Sequence, residues 1–407
     1  MIYPKLICSV CDRVKARCGC MKVLITTDWY EPVVNGVVTS VKNLAAELKK
    51  TGHEVRILTL SRTSKSYVEN NVFYIGSVSA EKIYPQARLK LPISGKYIKE
   101  LLDWHPDIIH SQCEFSTFLL ARRLAFNLRI PMIHTYHTVY EDYTHYFSHR
   151  EKWGKELVRR MTRKLSEQVG GIIAPSEKIR KLLSEYQVEC PVWVIPSGID
   201  VSRYKREKND GWRERIRRQY GILPDTAVLL YVGRLAREKN VEEIILYQEM
   251  IKKRNAVLMI VEDGPFRREL EMLAEKKGLL SSIIFTGMVS SEDIWKYYQA
   301  GDLFVSASTS ETQGMTYGEA LASGLPLLCK KDECLNGVVE DGRNGWQYRS
   351  KEEFLNRFEI WDAMDEKGRE RLCRNAEKSA GMFSAEQFGR SAARIYEQEI
   401  REEAKAV

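Results

Sequence analysis

The chain is short of several features at once, and each shortage narrows what it can be. Across 407 residues no apolar run approaches the roughly 18 needed to cross a bilayer, and the longest, such as Ala256-Val257-Leu258-Met259-Ile260-Val261, are strand-sized. Any membrane contact is therefore expected to be peripheral. Glycine (25) and proline (12) are not in excess and no solenoid period recurs, which argues against a fibrous, disordered or repeat protein. The nine cysteines show no disulfide spacing, as expected in a reducing cytoplasm. Histidine is missing from the whole second half: His53, His105, His110, His134, His137, His145 and His149 are all there are. There is no Gly-x-Gly-x-x-Gly fingerprint either.

What remains is ordinary globular composition, 44% hydrophobic and 29% charged, in a chain long enough for two cores. The net charge of +8 is uneven. Residues 1–200 carry 29 Lys and Arg against 20 Asp and Glu, and residues 201–407 carry 34 against 35, so the halves stand at +9 and −1. A basic half suits an anionic surface, nucleic acid or membrane; no nucleic-acid recognition motif accompanies it. Four cysteines, Cys8, Cys11, Cys18 and Cys20, cluster in a basic leader, residues 1–20. They offer either a zinc site or no more than an upstream start. The leader has no apolar stretch of signal-peptide length, and Met21 reads as the beginning of the fold.

From Met21 short apolar runs alternate with amphipathic stretches, an α/β rhythm with parallel strands. Strands are expected at 23–26, 54–60, 107–110, 131–134, 171–174 and 192–195, with helices near 37–50, 116–128, 140–169 and 177–185. Pro196-Ser197-Gly198-Ile199-Asp200 reads as a linker. A second series has strands at 227–232, 257–261, 283–286, 303–306 and 327–329, and a last helix at about 385–404. The expected architecture is two doubly wound α/β domains: residues 21–196 acceptor-binding, 197–380 donor-binding, and 381–407 a helix returning to the first. Ligands in such sheets gather at the carboxyl ends of strands, so the reaction is expected in an interdomain cleft.

The richest stretch is Ser310-Glu311-Thr312-Gln313-Gly314-Met315-Thr316-Tyr317-Gly318-Glu319, closed by Gly324 and Pro326. Gly314 lets a strand-end loop turn tightly into a helix. Glu311 then precedes that helix and Glu319 lies in it. Free N–H groups of Met315, Thr316 and Tyr317 are expected to face a diphosphate, while the glutamates accept hydrogen bonds from hydroxyls. Gly233-Arg234-Leu235-Ala236-Arg237-Glu238-Lys239 follows the first strand of the second series, putting Arg234 and Lys239 where two cations can hold that diphosphate. Asn35-Gly36-Val37 sits at the first strand-to-helix turn, and Gly36 would let backbone approach a phosphate or sugar.

His134-x2-His137 invites a metal reading, but both follow one strand and alternation separates their faces, so no metal is expected. His137 is better placed to hydrogen-bond a sugar hydroxyl as neutral imidazole. Tyr136, Tyr140, Tyr143, Tyr146 and Phe147 wall an acceptor channel or pack internally. The segment 149–165 carries Arg150, Lys152, Lys155, Arg159, Arg160, Arg163 and Lys164, with Trp153, Leu157, Met161 and Leu165 at helical spacing. It is either an interfacial membrane helix or the core stripe of a surface helix.

Taken together, Asn35-Gly36-Val37, His137, Gly233-Arg234 with Lys239, and Glu311 with Glu319 resemble the donor-site set of the family 4 retaining glycosyltransferases of GT-B fold. The runs at 134–147 and 310–326 look most like the bacterial 1,2-diacylglycerol 3-glucosyltransferases. The resemblance implies transfer of glucose from UDP-glucose to diacylglycerol without a metal or other cofactor. The enzyme would be cytoplasmic, attached peripherally to the inner face of the membrane at an anionic lipid surface. It also implies Arg234 and Lys239 on the departing diphosphate, Glu319 on ribose, and Glu311 and His137 on the donor sugar. Other lipid-linked or cell-wall saccharides as acceptor, or a sugar-nucleotide epimerase, are the alternatives. One departure stands out: the family's usual Gly-Asp-Gly-Pro is here Glu262-Asp263-Gly264-Pro265, a carboxylate close to the expected base.

Overall fold

A computed structural model describes residues 19–33, 35–80, 88–90, 95–141, 151–205, 211–251 and 254–406. Cys8, Cys11, Cys18, Tyr143, His145, Tyr146, Phe147, His149 and Arg150 lie outside them. The chain divides into two units, one taking Met1–Gly198 together with Ala385–Val407, the other Ile199–Ser384.

The first unit holds β1 (Lys22–Thr26), β2 (Glu54–Leu60), β3 (Tyr67–Glu69), β4 (Val72–Ile75), β5 (Ser77–Ser79), β6 (Arg88–Lys90), β7 (Ile108–Ser111), β8 (Met132–Thr135), β9 (Gly171–Ala174) and β10 (Val192–Val194). Eight of them form one sheet in the order β10-β9-β8-β7-β1-β2-β4-β3. Every residue of β7, β8 and β9 is buried, as in a parallel sheet covered on both faces, with the polar His110, Ser111, His134 and Thr135 at the carboxyl ends of β7 and β8. The parallel rhythm expected from sequence fails at the edge, where β3 runs antiparallel to β4 and β5 and β6 form a separate antiparallel pair. Asn70 and Asn71, both at positive φ (49° and 65°), supply the β3–β4 turn, a conformation asparagine tolerates better than most residues. Of the helical stretch expected at 140–169, Glu151–Ser166 is helix, and residues 142–150 lie outside the described residues.

The last helix, Ala385–Ala406, belongs to this unit. Phe388, Ala392, Ile395 and Tyr396 join Val41, Leu44, Ala45 and Leu48 of the Gly36–Lys50 helix in one core. Tyr396 also reaches the sheet, its hydroxyl 2.7 Å from Nδ1 of His110.

The second unit carries β11 (Ala227–Val232), β12 (Ala256–Val261), β13 (Ile283–Gly287), β14 (Leu303–Ser306), β15 (Leu327–Lys330) and β16 (Gly345–Tyr348), ordered β13-β12-β11-β14-β15-β16. All five pairings are parallel. Alternation divides β11 between two cores: Val228, Leu230 and Val232 on one face, Leu229 and Tyr231 on the other. Arg217, almost fully buried, donates to Asp302 at 2.5 Å and to the carbonyls of Ala300 and Thr226, closing the amino ends of β11 and β14. The carboxyl ends are left for the site.

Candidate functional site

At the carboxyl end of β11 the chain turns through Gly233, whose amide donates to the Val261 carbonyl at 3.2 Å. Two loops are locked there backbone to backbone: Leu235 N–H donates to the Asp263 carbonyl (3.0 Å) and Phe266 N–H to the Leu235 carbonyl (2.9 Å). A Cβ on Gly264 would stand 2.2 Å from the Leu235 carbonyl oxygen, so only glycine fits. Arg234 and Lys239 therefore project from a braced loop. Lys239 Nζ donates to Glu311 Oε1 at 2.6 Å, and Ser308 Oγ donates to the same oxygen at 2.9 Å. Arg234 is half-exposed and paired with Glu238. Each cation is thus held by a carboxylate at a strand end, where a more highly charged anion would compete for it.

Gly314 caps the Met315–Ala322 helix at φ 74°, and a Cβ there would meet the Tyr317 ring at 2.4 Å. The expectation of three free amides needs correction. Tyr317 N–H donates to the Gly314 carbonyl at 3.0 Å, closing the first turn, while Met315 and Thr316 have no such partner among the described residues. The end of this helix therefore presents two donors. One turn on, Glu319 accepts from the hydroxyl of Tyr298 at 2.7 Å. Burial pushes its carboxyl above the ordinary range, against the hydrogen bonds of Tyr298 and Tyr204. The aromatic pair that holds Glu319 was not read from the sequence, because Tyr204 and Tyr298 come from distant segments.

Glu262, at the end of β12, has φ 99°, and its N–H donates to the Gly287 carbonyl at 3.1 Å. A non-glycine residue there costs on the order of 1–3 kcal/mol. Burial raises its carboxyl, the Asp263 amide opposes this, and the negative charge of Glu319 raises it further. Asp263, next in sequence, accepts instead from Arg267 at 3.0 Å and from Gly264 N–H at 2.7 Å.

In the first unit Asn35 caps the Gly36–Lys50 helix, its Oδ1 accepting from Val38 N–H at 2.9 Å, and Gly36 is exposed as the first helical residue. His137 lies just past β8, its Nε2 2.7 Å from Gln112 Oε1 at the end of β7. With that oxygen accepting, Nε2 carries the proton and Nδ1 is left to accept. Burial, helped by the neighbouring His134, pushes the imidazole down to about 3, so His137 is neutral. His134 turns its own Nε2 to Glu114 (3.3 Å), which also accepts from the Tyr140 hydroxyl. Gln112 Nε2, His134 Nδ1 and Asp28 Oδ2 are buried without a hydrogen-bond partner among the described residues. Asp28, pushed up to about 6 by burial, accepts from Thr117 N–H at 2.8 Å. Asp28, Gln112 and Glu114 escaped the sequence reading; the polar run Ser111-Gln112-Cys113-Glu114 directly after a buried strand was the signal available.

The basic helix resolves its two readings by splitting the stripe. Val158, Thr162, Leu165 and Ser166 are buried, whereas Trp153, Leu157 and Met161 are exposed, Trp153 at 71%. Leu165 thus belongs to the core, and three apolar side chains at i, i+4 and i+8 stand in solvent. Lys152 is exposed beside them; Arg160 pairs with Glu156 at 2.7 Å, and the Arg159 guanidinium lies 5.6 Å from the Tyr186 ring centre.

Two Rossmann-like units with fixed charges at the strand ends of one define a GT-B glycosyltransferase. Residues 34–203 match the family described as Glycosyltransferase Family 4, and residues 213–379 match Glycosyl transferases group 1. The alpha-monoglucosyldiacylglycerol synthase of Streptococcus pneumoniae is 37% identical, covering 81% of this chain and 75% of that protein. The enzyme of the same name from Acholeplasma laidlawii is 32% identical over 92% and 96%. Among solved structures, sucrose-phosphate synthase from Thermosynechococcus elongatus superposes with a TM-score of 0.73 at 19% identity, over 93% of this chain and 98% of that one. Anabaena HepE in complex with UDP and glucose gives 0.71 at 18%, over 92% and 99%. The chain belongs to glycosyltransferase family 4.

Proposed function

We propose that this glycosyltransferase moves glucose from UDP-glucose to the free hydroxyl of 1,2-diacylglycerol with retention of configuration, giving an α-glucosyl lipid. The observation that carries the reading is the gathering of Arg234, Lys239, Glu311, Glu319 and a helix amino end at the carboxyl ends of β11 and β14. The synthases named above supply the acceptor. In the proposed step the acceptor oxygen forms a bond to the sugar's anomeric carbon on the face from which the diphosphate leaves. The bond from that carbon to the diphosphate oxygen breaks, its electron pair goes to the diphosphate, and the acceptor's proton passes to a diphosphate oxygen. Arg234, Lys239 and the amides of Met315 and Thr316 stabilise the charge that develops on the leaving group; no metal or further cofactor has a part in the step. His137 and Glu311 orient the sugar, Glu319 binds the ribose hydroxyls, and Gly36 lets the first helix approach the phosphate side.

The acceptor lies in a bilayer, and the first unit carries surfaces for one. No described helix is long and apolar enough to cross a membrane. Trp153, Leu157 and Met161 would enter the interface with Lys152 beside them, and Leu119 and Phe126 expose a second apolar strip with Arg122 and Arg123. Attachment is to the anionic cytoplasmic leaflet.

Labelled UDP-glucose incubated with diacylglycerol in anionic vesicles is expected to yield a single glucolipid with an α linkage. Label in a lipid-linked saccharide or wall polymer instead, or donor consumed with no acceptor modified, overturns the assignment. Replacing Trp153 and Leu157 with serine is expected to lower co-sedimentation with anionic vesicles about tenfold and leave UDP binding unchanged. Unaltered sedimentation removes that helix from the membrane surface.

A further inference from the structure

Two neighbouring acids at the end of β12 behave differently. Asp263 earns its place structurally, tied to Arg267 and to the Gly264 amide. Glu262 has no such return: no cation pairs with it among the described residues. It also occupies a positive-φ backbone conformation that a glycine would adopt without strain, within reach of the negative charge of Glu319. A residue that costs stability twice and braces nothing is explained by what it meets when the site is filled.

The strand order says what that is. Lys239 and Glu311 mark the diphosphate end at β11 and β14, with Glu319 beside them. Glu262 lies on β12 and is bridged to Gly287 at the end of β13, the outermost strand on that side. A nucleotide whose diphosphate lies at β11–β14 and whose ribose meets Glu319 carries its base outward, toward β12 and β13. Met288, directly after Gly287, leaves its side chain 77% exposed there, an apolar surface on which a base can lie.

We propose that Glu262 reads the donor's base: its carboxylate accepts a hydrogen bond from a ring N–H, admitting uracil (N3–H) or guanine (N1–H). Cytosine and adenine present a ring-nitrogen lone pair at that position, so a carboxylate set against it gains no ring hydrogen bond and has only their exocyclic amino group to accept from. Glu262 is thus a specificity residue, and the inference rests on the reading of the second unit as the nucleotide-sugar site.

Calorimetric titration of the full chain with UDP, GDP, CDP and ADP tests it, the first two arms separating uracil from guanine. The unsubstituted protein is expected to bind UDP or GDP at least about tenfold more tightly than CDP and ADP, since a buried polar group left unmatched discriminates strongly. Glu262→Gln, whose amide can donate to a lone pair, should narrow that gap about tenfold. Glu262→Gly should lose UDP or GDP affinity by a similar factor while its melting temperature stays level or rises, which separates lost recognition from lost folding. Base discrimination unchanged in both variants overturns the role of Glu262 and leaves the donor site standing, provided Glu319→Gln weakens all four nucleotides alike. Failure of the unsubstituted protein to bind any of them overturns the donor-site reading and this inference together.

Discussion

The two units share a plan, a parallel sheet with functional groups at its carboxyl edge, and differ in how those groups are charged. In the second unit the edge holds formal charges in pairs: Arg234 with Glu238 and Lys239 with Glu311. In the first it holds hydrogen-bonded groups: a neutral His137 on Gln112, His134 and Tyr140 on Glu114, Asp28 on Thr117. The difference matches two tasks. Holding a leaving diphosphate needs fixed positive charge, whereas orienting an uncharged hydroxyl needs directional hydrogen-bonding groups.

The sharpest way to break this contrast is to remove a charge from the second unit. Lys239→Ala is expected to lower kcat by about 10²–10³, the scale found for one positioned donor to a developing anion. A steady-state assay that finds less than a tenfold loss would place the leaving-group charge elsewhere. Next in size is a test of the claim that the first unit disfavours charge. Asp28 is pushed up to about 6 from 3.8, so between those values the folded protein binds more protons than the unfolded chain and stability falls as pH rises. Asp28→Asn keeps an acceptor for Thr117 N–H and removes the ionisation. It should match the unsubstituted protein below about pH 4 and exceed it by on the order of 2 kcal/mol above pH 6, as read by denaturant melts across that range. A difference that is independent of pH would show that the carboxyl is not the cause. The smallest effect belongs to His137→Ala, which removes one neutral hydrogen bond to the sugar. A loss of about tenfold in kcat/KM is expected, with little change in UDP affinity. A loss as large as that of Lys239→Ala would erase the distinction between the units.

The same contrast explains what could be read from sequence. Strands such as Glu54–Leu60, Ala227–Val232 and Leu303–Ser306 stood out as apolar runs between punctuating residues. β3, β4, β5, β6 and β16 did not: each is only three or four residues long, β3, β5 and β6 are exposed or partly exposed, and β4, though buried, is too short a run to stand out. At the sites, Arg234 with Lys239 and Glu311 with Glu319 were legible because each pair sits in one local stretch joining a strand to a helix. The Gln112–His137 and Glu114–His134 contacts were not, since parallel pairing of β7 with β8 brings together residues 20 and 25 apart in sequence. Periodicity found the Trp153 stripe, yet it could not tell which of two adjacent helix faces, one ending in Leu165, meets the core. Nor could it show that Glu262 holds a positive φ.

The return of the Ala385–Ala406 helix to the first unit has a consequence for how the molecule is made. Residues Ile199–Ser384 are contiguous, so the second unit has its whole core as soon as it has been synthesised. The first unit, begun earlier, still lacks Phe388, Ala392, Ile395 and Tyr396, and His110 lacks its tyrosine partner, until the final stretch of chain emerges. The order of completion therefore reverses the order of synthesis: the unit that carries the exposed Trp153 stripe is the last to become whole.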